Sequence, residues 1–138
     1  MNNQSQHPAK FKFSIGGYLA NCFELEWADP VLKYRQAQGA YRFEPRAELA
    51  LTPTDEAWEE FWLAVEAAGV WQWNRKYDNN NVDDGVQWSL KINHLGKQLS
   101  CWGSNAYPGG HDTSYSKESA FGQFIQALKK LAGQKKIR

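Results

Sequence analysis

Along much of the chain, apolar and polar residues alternate in short runs, and in two places a helical period replaces the alternation. Phe11, Phe13 and Ile15 alternate with Lys12 and Ser14; Phe23, Leu25 and Trp27 with Glu24 and Glu26; Leu32 and Tyr34 with Lys33 and Arg35. Each run has the period of a strand with one buried face. Gly16-Gly17, Asp29-Pro30 and Gln38-Gly39 punctuate them as turns. Tyr41 and Phe43 continue the pattern, Pro45 interrupts it, and Leu49 to Leu51 predict a further short strand. The first half therefore reads as a meander. Its second strand has an acidic outer face and its third a basic one. Cross-strand ion pairs follow, worth roughly 0.2–1 kcal/mol each when exposed.

The period changes at Thr52-Pro53-Thr54-Asp55-Glu56. Thr52 suits a helix cap, Pro53 the first helical position, and the acidic pair complements the dipole. Trp58, Phe61, Trp62 and Val65 then form one apolar stripe at i, i+3, i+4 and i+7, and Gly69 supplies a stop. Val70 to Trp73 predict a strand running toward Tyr77, and Asp78 to Gly85 a polar turn. Next comes the best-defined hairpin. Val86, Trp88, Leu90 and Ile92 alternate with Gln87, Ser89, Lys91 and Asn93. The turn is at His94-Leu95-Gly96-Lys97, where Gly96 can adopt positive φ. Gln98 to Trp102 alternate again, with Leu99 and Cys101 on one face. A last helix, capped by Ser114 or Ser116, carries Phe121, Phe124, Ile125, Leu128 and Leu131 on one side and ends at Gly133.

One apolar face per strand and one stripe per helix predict a two-layer α+β domain over residues 11–133. Its antiparallel sheet would have about six or seven strands, with both helices packed on one face. A flexible leader (residues 1–10) and a basic tail (residues 134–138) flank it. The seven Trp residues require this core, since a folded chain cannot leave that many large rings in water. The cations at the tail, Lys129, Lys130, Lys135, Lys136 and Arg138, read as a solvated helix end that favours the dipole.

A net charge of +1 gives no global electrostatic reason to expect a nucleic acid or an anionic membrane as partner. The N-terminal stretch lacks an apolar signal region, and no long apolar run occurs, so a cytoplasmic, membrane-free protein is expected. Cys22 and Cys101 lie on separate predicted strands without C-x-x-C spacing, and each is expected to be a buried hydrophobe rather than half of a disulfide.

Chemical motifs are few. No G-x-S-x-G, H-E-x-x-H, P-loop or G-x-G-x-x-G occurs. A calcium loop measured back from Gly85 would draw ligands from Asn80, Val82 and Asp84; Val82 cannot ligate and no glutamate follows in place. No metal or other cofactor is therefore expected. Asp83 and Asp84 would point to opposite faces of a strand, and Asp84-Gly85 suits a turn. His111-Asp112 lacks the strand-turn-helix elbow that would make a nucleophile of Ser104.

The segment Gly103-Ser104-Asn105-Ala106-Tyr107-Pro108 supports two readings. Ser104 and Asn105 can bond neighbouring backbone groups and shape the loop. Alternatively, Ser104, Asn105 and Tyr107 present polar groups beside Trp88 and Trp102, with Trp73, Trp71 and Tyr77 lining the same region if their strand pairs there. Such a surface could hold a sugar, a base or a peptide.

The set Asp84, Gly85, Trp88, Leu90, then Gly103 to Pro108, then Phe121, Phe124, Ala127 and Leu128, resembles small, mostly bacterial domains of uncharacterised function. The resemblance covers roughly Trp71 to Leu131, and the hexapeptide is its specific part. It lends no catalytic residue. The sequence thus points first to a non-enzymatic binding protein whose contact surface is the 83–110 hairpin segment. Its residues would be Trp73, Asp84, Trp88, Trp102, Ser104, Asn105 and Tyr107, and its partner a protein or a small polar ligand. Two other classes stay open. One is a small enzyme acting on a polar substrate through Asp84, Asn105, Tyr107 and His111. The other is a single-strand nucleic-acid binder that stacks bases on Trp and Tyr and uses the basic tail.

Overall fold

The alternating runs become strands of one sheet. A computed structural model describes residues 7–17, 20–38, 47–78, 86–104, 106–109 and 116–133. Its strands are β1 (Lys10–Gly17), β2 (Ala20–Ala28), β3 (Val31–Gln38), β4 (Ala47–Leu51), β5 (Lys76–Asp78), β6 (Val86–His94) and β7 (Lys97–Ser104). Helix α1 (Asp55–Ala67) follows β4, and α2 (Ala120–Ala132) follows β7. The strand order is β4-β3-β2-β1-β6-β7-β5, so the central pairing joins the first strand to the hairpin of the second half.

Register brings the apolar residues of neighbouring strands into one layer. Phe13 lies opposite Leu25 on one side and Leu90 on the other, while Lys12 lies opposite Glu26 and Lys91. Because paired residues share a face, Phe11, Phe13, Ile15, Phe23, Leu25, Leu32, Leu90 and Ile92 form a continuous buried surface. Both helices lie on it. From α1, Phe61 meets Phe11 edge to face at 5.7 Å and Trp62 stacks flat on His94 at 3.7 Å. From α2, Phe124 contacts Phe13 at 5.4 Å and Phe61 at 6.1 Å, joining the helices to each other and to the sheet. The two-layer α+β architecture is thus as the pattern requires.

Four details depart from the sequence reading. Val70–Gln72 is one turn of 3-10 helix, not the start of a strand. Gly69 (φ 68°) accepts from the Gln72 N–H, and the turn buries Val70 and Trp73, three apart, rather than alternate residues. The strand comes later, as β5, and it runs parallel to β7, so the sheet is mixed at that edge. Thr54 rather than Thr52 caps α1, its Oγ1 accepting from the Ala57 N–H at 3.0 Å; this places Asp55 and Glu56 in the first turn. Ser119 rather than Ser114 or Ser116 caps α2. The preceding Ser116-Lys117 segment crosses the helix so closely that a Cβ on Gly122 would lie 2.6 Å from Lys117 Cα. The helix stops at Gly69 and Gly133, both at φ 68°, are as expected.

Part of the expected leader is built into the fold. The His7 ring packs on Trp27 at 4.7 Å, Pro8 is buried, and the Ala9 N–H donates to Asn93 O. The expected strand continuation through Tyr41 and Phe43, the Asp83-Asp84 turn and the basic tail lie outside the described residues.

Trp58 is fully buried, edge to face with Trp27 at 5.6 Å and with Phe61 at 6.0 Å. Trp58→Ala should therefore lower stability by roughly 3–5 kcal/mol through the cavity it leaves. Urea unfolding measures this, and a wild-type midpoint would place the ring outside the core.

Candidate functional site: the helix-free face of the sheet

The same register that buries one face defines the other. Along β7, Cys101 and Gly103 point inward and are buried, so Trp102 and Ser104 point away from the helices. Trp102 is 44% exposed. It belongs to a row that crosses all seven strands: Glu48, Arg35, Glu24, Ser14, Ser89, Trp102 and Lys76. The row is polar except for the indole.

Its two ends differ. Toward β4 the charges are consumed internally. Arg35 binds Glu24 at 2.5 Å and Glu26 at 3.1 Å through Nη1, and Glu48 at 3.1 Å through Nε. Partial burial alone would lower the guanidinium pKa, but its hydrogen bonds to Glu26, Glu24 and Glu48 outweigh that and raise it. Lys12 lies 3.6 Å from Glu24. These are the cross-strand pairs expected from the acidic and basic strand faces, gathered into one cluster. In the middle, the Ser14 and Ser89 hydroxyls meet at 3.0 Å.

Toward β5 the face is less saturated. The Lys76 ammonium sits 5.4 Å from the Trp102 ring centroid and 3.8 Å from an Asp78 carboxylate oxygen. Beside them an open groove is lined by Lys10, Arg75, Lys91, Asn93, Gln98 and Ser100, among others. Leu63 and Leu95 are more exposed than Trp102 and line a second groove with Trp62, Trp71 and His94, on the helix side of the sheet and bounded by the Lys97–Glu66 ion pair.

Gly103, Ala106, Tyr107 and Pro108 are placed mainly by packing. Trp88 is buried and lies over Gly103, where an added Cβ would come within 2.6 Å of both Trp88 Cε2 and Ala106 O. The Trp88 indole donates to that same carbonyl at 2.9 Å. Tyr107 is buried with its ring 4.9 Å from Phe121, and Pro108 O accepts the Phe121 N–H. Gly103 and residues 106–109 therefore strap the end of β7 to the first turn of α2.

The residues expected at the site divide accordingly. Trp73, Trp88 and Tyr107 do come together, around Phe121, with ring centroids 4.9–6.1 Å from it. They do so beneath the helices, because Trp88 shares the buried phase of Leu90 and Ile92 on β6; β5 pairs with β7 and not with β6. Tyr77 lies on that side too, 6.0 Å from Trp88. Trp102 and Ser104 are on the open face. Asp84 and Asn105 lie outside the described residues. The sequence does not single out Lys10, Arg75, Lys76, Lys91, Ser89 or Ser100: Lys10 reads as the end of the leader and the others as solvated positions of their strands.

Cys101 is buried, and loss of solvation pushes its thiol up to about 12. The Cys22 side chain lies outside those described. Among the described residues no group of three His, Cys, Asp or Glu side chains is arranged to hold a metal, and no helix is long and apolar enough to cross a membrane.

Two outcomes follow. Gly103→Ala should lower stability by about 1–3 kcal/mol, because the methyl meets backbone as well as the indole; thermal melts measure it. In a Cys22→Ala background, Cys101 should react with a thiol reagent far more slowly in the native than the unfolded state at pH 8. Since its native pKa is raised, its contribution to stability is complete below the unfolded thiol value of about 8.5 and is lost as pH rises toward 12. Native labelling as fast as unfolded labelling would put the thiol at the surface.

No protein-family model matches the chain, and no curated protein matches it in sequence.

Proposed function

We propose that the protein is a non-enzymatic cytoplasmic binding module whose contact surface is the outward face of the β6–β7 hairpin, centred on Trp102. The observation that carries this reading is an indole 44% exposed on an inner strand, in a row otherwise made of polar groups. Leaving such a ring in water forgoes burial worth roughly 1.5–3 kcal/mol, a cost that a partner covering it would recover. The platform is rigid, since β6 is paired on both sides, to β1 and to β7, and therefore pre-organised for contact. Ser104, Ser100, Ser89 and Gln87 surround the indole with hydrogen-bonding groups. The other members of the sequence-derived site, Trp73, Trp88 and Tyr107, support the surface from beneath. An enzymatic reading would have to rest on Asp84, Asn105 and His111, outside the described residues, and on a Tyr107 that is buried.

A photo-crosslinking amino acid at Ser100, on the open face, should give adducts in cells that Trp102→Ala removes. The same probe at Glu59, on the outer side of α1, should give none that depend on Trp102. Trp102→Ala itself should keep stability within about 0.5 kcal/mol of wild type. Ser100 adducts indifferent to Trp102, or adducts equal at both positions, would refute the assignment of this face.

A further inference from the structure

The net charge of +1 conceals a separation of charge that only the fold displays. The exposed side chains of α1 are Asp55, Glu56, Glu59, Glu60 and Glu66 together with Leu63 and Ala67, so its charged groups are all acidic. On the open sheet face the glutamates belong to β2 and β4, where Arg35 and Lys12 neutralise them. The β6–β7–β5 end instead collects Lys10, Arg75, Lys76 and Lys91 against the single described carboxylate of Asp78. That carboxylate is already beside Lys76. Lys10, Arg75 and Lys91 are exposed and have no ion pair among the described residues.

We infer that the partner of the Trp102 face is a single-stranded nucleic acid, a base stacking on the indole and phosphates lying over Lys76, Lys91, Lys10 and Arg75. This rests on the reading of that face as the contact surface. A strongly anionic chain matches this cluster of cations, and the protruding indole matches an unstacked base. Lys76 is already beside the ring, where the phosphate of a stacked nucleotide would be met. Ser100 lies two residues from Trp102 on the same strand, about 7 Å away, and Lys91 is paired with it on β6. Cations thus continue from the stacking point along the groove. Asn93, Gln98 and Gln87 place amides on the same face to meet base edges. A duplex hides its base faces, whereas the protruding indole needs one to stack on, so the single strand is the form this surface fits. A lone nucleotide would leave the more distant cations unused.

The test measures anisotropy of a fluorescein-labelled oligothymidylate of about twelve nucleotides against the full chain. Binding should weaken from about 50 to 200 mM salt with a log–log slope near −2 to −3, as three or four phosphate contacts require. Trp102→Ala should weaken it roughly 10-fold or more, and Trp102→Phe less. Lys10→Gln with Lys91→Gln should reduce the slope by about 1.4, whereas Glu59→Gln should leave it unchanged. Three outcomes would overturn the inference: no binding at low salt, binding indifferent to Trp102, or displacement by polyglutamate as effective as by unlabelled oligonucleotide. Acrylamide quenching, compared between wild type and Trp102→Ala, separates the two levels of the argument. A quenchable Trp102 without oligonucleotide binding removes the nucleic acid and leaves the contact face standing; an unquenchable Trp102 removes both.

Discussion

The seating of Trp88 over Gly103 is the contact on which both faces of this sheet depend. A large indole on β6 needs the opposite position on β7 to have no side chain, and the carbonyl of Ala106 closes the arrangement by accepting the indole N–H. That contact draws the chain after β7 back across the strand end, brings Tyr107 against Phe121, and delivers Pro108 O to the first turn of α2. It also sets the phase of β7. With Gly103 inward, strand geometry leaves Trp102 and Ser104 no choice but to point outward. Gly103, with Ala106 to Pro108, is largely the device that docks α2. The exposed indole just before it is a consequence of that docking.

Charge is arranged around the same division. Three glutamates converge on Arg35 at the β2–β4 end, and each such contact is internal to the protein. The opposite half bears Lys10, Arg75 and Lys91, which form no ion pair among the described residues, and Lys76, which faces Asp78. A charge count over the chain averages the two halves with the acidic outer side of α1 and returns a number near zero. The potential that a ligand would feel is local, and screening over about 8–10 Å keeps the two regions distinct.

Much of the fold was legible because its residues obey one period at a time. Phe11-Phe13-Ile15 and Trp88-Leu90-Ile92 alternate without exception, and the stripe from Trp58 to Val65 admits only a helix; each of these elements is where the pattern puts it. Legibility failed where two local signals competed. Thr52 and Thr54 flank Pro53 and both can cap; the turn is won by the one whose hydroxyl reaches the Ala57 N–H. Val70-Trp71-Gln72-Trp73 alternates on paper, yet Gly69 bends the chain into a turn that buries positions three apart. Ser114 and Ser116 precede a helix that Ser119 caps, because the intervening segment folds back over Gly122, and no local pattern shows such a crossing.

The site was half legible for a deeper reason. Alternation says that Trp102 and Cys101 lie on opposite faces, but not which face the helices cover. Trp88 and Trp102 are both aromatic residues of one hairpin, and sequence alone grouped them on one surface. Their pairing partners separate them: Trp88 is opposite Gly103, and Trp102 is opposite Ser89. Two rings one row apart are therefore on different sides of the sheet, one surrounded by Phe121, Trp73 and Tyr77, the other by Lys76 and serines. The difference in environment comes from a single residue of register. Shifting β7 by one position would bury Trp102 against Phe121 and expose Cys101 and Gly103. The steric demand of Trp88 for a glycine prevents that slip, and so the buried indole is what keeps the exposed one in place.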